Sequence, residues 1–91
     1  MLVLPAELTH RQAAACLQML LQGLRSGTET VVVADASALK VFDSSALAVL
    51  LECRRLGQAQ GKEFAVKGMD ARLAALSTLY GVDGLLPPPS L

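Results

Sequence analysis

The run Thr30-Val31-Val32-Val33-Ala34 constrains the fold of this chain more than any other stretch. β-Branched side chains lose χ1 freedom in a helix and fit a pleated surface, so three consecutive valines point to a strand. The run does not alternate apolar with polar residues. It therefore predicts a central strand covered on both faces. Segments of helical period lie on either side of it, and a further strand-like run, Phe64-Ala65-Val66, follows. Strands separated by helices need crossover connections and hence a mostly parallel sheet. The expected class is α/β: a mostly parallel mixed sheet of about four strands with about three helices packed against it.

The remaining elements follow from their punctuation. Leu2-Val3-Leu4 reads as a short strand that Pro5 confines to an edge. Thr9-His10-Arg11-Gln12 fits a capping box, with the Thr9 hydroxyl and the Gln12 amide each satisfying a free N–H at a helix start. The apolar stripe Ala13, Leu17, Leu20, Leu21, Leu24 carries that helix to about Arg25, before Ser26-Gly27. Asp35 to Val41 reads as a loop, and a second helix follows Asp43 and runs to Gly61. Asp70 is expected to cap a third helix with Leu73, Leu76 and Tyr80 on one side and Gly81 at its end. Pro87-Pro88-Pro89 opens an extended tail over 87–91.

Composition narrows the function. Ninety-one residues make one domain, 1–91. Eight basic and eight acidic side chains cancel, which gives no electrostatic footprint for nucleic acid or an anionic membrane. The longest apolar run, Ala46 to Leu51, is far short of a bilayer span, and the N-terminus lacks the pattern of a secretory signal. A cytoplasmic protein without direct membrane insertion is expected. Cys16, Cys53 and the single histidine, His10, have no metal-ligand spacing, so two buried thiols and no metal or other cofactor are expected. His10 reads as an exposed turn residue. No nucleophile lies beside an evident base and there is no phosphate-binding glycine loop, so no catalytic residue is assigned and no enzymatic activity is expected.

Binding is the remaining role, and the start of the second helix is where it is expected. Asp43 suits an N-cap, accepting from amides two and three residues on and complementing the helix dipole. Ser44 and Ser45 then fall in the first turn, where free N–H groups also favour a phosphate; a plain capping turn and a phospho-switch both fit. At 100° per residue, Ala46, Val49, Leu50, Cys53 and Gly57 face the sheet. Ser44, Leu47, Leu51 and Arg55 share another side, a partner-binding stripe unless Leu47 and Leu51 pack against a neighbouring helix or loop.

The stretch Val31-Val32-Val33-Ala34-Asp35 to Asp43-Ser44-Ser45-Ala46-Leu47 resembles the signature of STAS domains: a buried strand, a short loop, then Asp-Ser-Ser or Asp-Ser-Thr leading into a helix. The similarity continues through Gly61-Lys62, Phe64 to Val66 and Leu79-Tyr80-Gly81-Val82, roughly residues 28 to 86. The last motif and the small size look like the cytoplasmic STAS subunit of a phospholipid-transport ABC complex of Gram-negative bacteria. That likeness implies binding to the ABC transporter ATPase subunit, at the inner membrane through that partner. Asp43, Ser44, Ser45, Leu47, Leu51 and Arg55 would be the contacts. Related anti-sigma factor antagonists imply the alternative, phosphorylation of Ser44 by an anti-sigma factor kinase. A small-ligand-binding STAS module is a third reading. Ala46 stands where the family usually has Gly, and only Leu2 to Leu4 supplies the usual longer first strand or hairpin, which implies either a sheet one strand short or a sequence that begins late in the domain.

Overall fold

The computed structural model describes residues 1–90. Its elements in chain order are β1 (Leu2–Val3), β2 (Glu7–Leu8), α1 (Ala13–Ser26), β3 (Val31–Asp35), β4 (Val41–Phe42), α2 (Ser44–Ala59), β5 (Glu63–Lys67), α3 (Ala71–Leu79) and a 3-10 turn over Asp83–Leu85. β3 is central, with β1 and β5 parallel to it on either side. The class is α/β as expected. The expected mixed sheet of four strands is instead a three-stranded sheet plus a separate two-stranded ribbon of β2 and β4, and every pairing among the described residues is parallel.

Helices α1 and α2 cover one face of the sheet, and the other face is closed only at Ala65 on β5. Leu2, Val32, Ala34, Phe64 and Val66 point into the core, where α1 and α2 contribute Cys16, Leu20, Leu24, Ala46, Val49, Leu50 and Cys53. On the opposite face Val31 is 40% exposed and Val33 half-buried, which corrects the expectation that β3 is covered on both sides. Three valines in a row satisfy strand propensity on either face, so the run signals a strand without saying how many layers cover it.

Helix boundaries show local chemistry at work. The Thr9 N–H donates to the Gln12 side-chain oxygen at 2.9 Å, one half of the expected capping box. The Thr9 hydroxyl also donates to that oxygen, at 2.8 Å, and does not cap the helix. Residues 9–12 form a turn, and α1 begins at Ala13. Asp70 caps α3 through Leu73 N–H at 2.8 Å, and the helix ends at Tyr80 before Gly81 at φ +71°. Past α3, Leu86 is buried and the Pro87 carbonyl accepts from Val66 N–H at 2.8 Å, so the tail begins as a strap along the free edge of β5. Residue 91 of the expected tail lies outside the described residues.

Candidate partner-binding face on helix α2

The β2–β4 ribbon builds the entrance to α2. Its register sets Leu8 beside Phe42, so the residues that follow, Thr9-His10 on one strand and Asp43 on the other, leave the ribbon side by side. Asp43 uses both carboxylate oxygens there. Oδ1 accepts from Ser45 N–H at 2.8 Å, the expected cap, and Oδ2 accepts from His10 N–H at 3.0 Å with His10 Nδ1 at 3.2 Å. The His10 and Ser45 amides are the main reason its carboxyl falls to about 2. His10 is exposed, as expected, but it is tied to Asp43 across 33 positions. No local signal in the sequence could have paired them.

From Ser44 the helix turns its sides as periodicity predicts. Ala46, Val49, Leu50, Cys53 and Gly57 are buried, and burial pushes the Cys53 thiol up to about 11 and raises that of Cys16. The other stripe divides. Ser44 is exposed, Leu51 half-buried against the core, and Leu47 only 3% exposed. Leu47 is thus a core residue as well, forming the floor of a groove of about 220 Å³ whose lining is Ser44, Leu47, Ala48, Leu51, Tyr80 and Val82. Arg55 is exposed but not in that lining; its guanidinium pairs with Glu52 one turn back.

Three of the groove's walls escaped the sequence reading. Tyr80, expected on one side of α3 with Leu73 and Leu76, is its C-cap and 59% exposed, with Leu79 beside it more exposed still. Val82 follows Gly81, whose positive φ folds the chain back towards α2. Ala48 stands exposed between this groove and a second one of about 340 Å³ lined by Ala13, Ala14, Leu17, Ser45, Ala48, Val49 and Glu52. Ser45 therefore faces α1, and Ser44 faces α3. The two shallow, largely apolar grooves flank the start of α2, and the small Ala48 side chain leaves the helix surface low between them.

Among the described residues no three His, Cys, Asp or Glu side chains lie together as metal ligands. No described helix is long and apolar enough to cross a membrane.

A parallel α/β sheet with an Asp-Ser-Ser cap leading into an apolar, partly open helix is the arrangement of a STAS-like fold, and the family match makes the chain a small interaction or regulatory module. The chain belongs to the MlaB-like STAS domain family, whose model, described as "Mlab, STAS domain", matches residues 1–87. The match takes in β1, β2 and α1, well ahead of the stretch near residue 28 where the resemblance began. No curated protein matches the chain significantly.

Proposed function

We propose that this protein is the STAS subunit that binds, and supports the activity of, the ATPase subunit of a phospholipid-transport ABC complex. The observation that carries the proposal is the α2–α3 groove, with Leu47 as floor, Leu51, Tyr80 and Val82 as walls and Ser44 at its edge. Exposed aromatic and aliphatic side chains around a shallow apolar groove are what a partner's helix or loop can bury, and Tyr is a frequent anchor of such interfaces. Asp43 and Ser45 hold the helix start in place, and Ser44, exposed in the first turn, is free to meet the partner. Arg55, exposed one turn beyond Leu51 and paired with Glu52, lies outside the groove and would meet only the partner's periphery, where charge affects association rate more than affinity.

An anti-sigma factor antagonist is the second reading, favoured by the exposure of Ser44 at a helix N-terminus that would stabilise an added phosphate. Titration calorimetry of the purified chain against the purified ATPase subunit of its own organism separates the two. Saturable binding that Tyr80→Ala weakens at least about tenfold supports the transporter subunit. Absence of binding to the ATPase, together with ATP-dependent phosphorylation of Ser44 by an anti-sigma factor kinase, would move the assignment to the antagonist.

A further inference from the structure

The outer face of the three-stranded sheet lies opposite α1 and α2 and has no part in the α2 grooves. Registered neighbours in a parallel sheet share a face, so this face carries Val31 beside Glu63, Val33 beside Ala65, and Val3 beside Asp35 and Lys67. Met1, two residues before Val3, is on the same side by alternation. Four of the eight exposed large apolar side chains are gathered here or on its border: Met1, Val3 (57% exposed), Val31 and Leu85, the last sharing a groove with Val31 beneath the C-terminal strap. Ala65 is already buried, so the open part lies over β1 and β3.

We propose that this face is a self-association surface on which a second copy of the chain packs sheet to sheet, with its strands antiparallel to those of the first. The charges select the arrangement. A two-fold axis midway between the two sheets and running across the strands puts Lys67 over the second copy's Glu63, and Glu63 over its Lys67, while Val33 meets Val33 and Asp35, already accepting from the Ser37 N–H and hydroxyl, lies over Val31. An axis along the strands would instead stack Asp35 on Asp35, a like-charge contact, and set Lys67 over Val3, where it meets no carboxylate of the second copy. Both arrangements join Val33 to Val33, but only the first avoids a like-charge contact and gives both lysines a carboxylate of the other copy. Side chains of two such faces interdigitate at the usual sheet spacing of about 10 Å.

Size sets the strength. Three short strands present a face of roughly 14 Å by 17 Å, well under the area a permanent dimer buries. The dimer is therefore a transient one, with a dissociation constant on the order of 100 µM. It leaves the Ser44–Tyr80 groove open, so two copies can each hold a partner at once.

Sedimentation equilibrium of the full chain up to about 1 mM, with circular dichroism on every variant, tests this. The expected result is a reversible dimer that weakens with added salt, loosens about tenfold in Lys67→Glu, and returns to the original strength in the charge-swapped Glu63→Lys/Lys67→Glu pair. Because the salt series uses the unaltered protein, the test does not depend on a variant folding. A chain that stays monomeric at the highest concentration, or a dimer indifferent to both salt and Lys67→Glu, would overturn the proposal.

Discussion

Asp43 joins two segments distant in sequence through one carboxylate, and its proton equilibrium reports that work. Hydrogen bonds to the ionised form lower its folded pKa from 3.8 to about 2, so its contribution is complete above the unfolded value and is lost as pH falls through the folded one. Asp43→Ala is expected to lower the urea midpoint at pH 7, and the gap to the natural chain should narrow between about pH 4 and pH 2. A gap unchanged across that window would mean that the carboxylate's charge does not matter. Leu47 and Ala48 make the complementary contrast. Leu47→Ala opens a cavity in the core and should cost about 3 kcal/mol in chemical denaturation, whereas Ala48→Glu, at an exposed helix position, should leave the midpoint nearly unchanged and abolish partner binding.

At the scale of elements, the β3–loop connection depends on Gly68. It holds φ +72° just after β5, and a Cβ there would press on Ser37, whose backbone nitrogen would be 2.9 Å away. The chain passes closely because Ala36 N–H donates to the Lys67 carbonyl at 2.8 Å. Gly68→Ala should therefore cost at least about 2 kcal/mol, against about 1 kcal/mol for Gly61→Ala, where φ is also positive but the space is open. Equal urea midpoints for the two variants would contradict this. Between α1 and α2, Cys16 and Cys53 are buried with raised pKa values, so neither thiol should react with an alkylating reagent at neutral pH until the protein is unfolded. Rapid labelling of the native protein would show that the α1–α2 seam opens.

What could be read from the sequence at this scale was whatever a single segment determines alone. The buried side of α2, the Asp43 and Asp70 caps and the Gly81 stop were all legible, because periodicity and capping act within a few residues. The β2–β4 ribbon was not, since each strand is two residues long and exists only through its partner. The burial of Leu47 stayed open for a related reason: helical spacing groups residues by direction, but the packing of neighbouring elements around α2 decides which directions reach solvent. The exposure of Tyr80 was hidden in the same way, because its spacing from Leu73 and Leu76 gives a direction and its place at the C-cap, beyond the last packed turn, decides that it reaches solvent.

For the whole molecule, the layout separates two surfaces. Helices α1 and α2 cover one side of the sheet and present the Ser44–Tyr80 groove, while the other side shows a bare apolar face framed by charges. A chain with no net charge and an apolar content of 53% is left with such surfaces because it has few polar residues to spread over them. Family membership accounts for the fold and for an interaction or regulatory role, and the groove on α2 is where the partner is proposed to sit.

Titration calorimetry of the unaltered chain and of Ala48→Glu against the purified ATPase subunit of the phospholipid-transport ABC complex of the same organism tests the central claim most directly. The account predicts saturable one-to-one binding by the unaltered chain and none by Ala48→Glu, with identical circular dichroism spectra for the two. No binding by the unaltered chain, or equal binding by both, would contradict it.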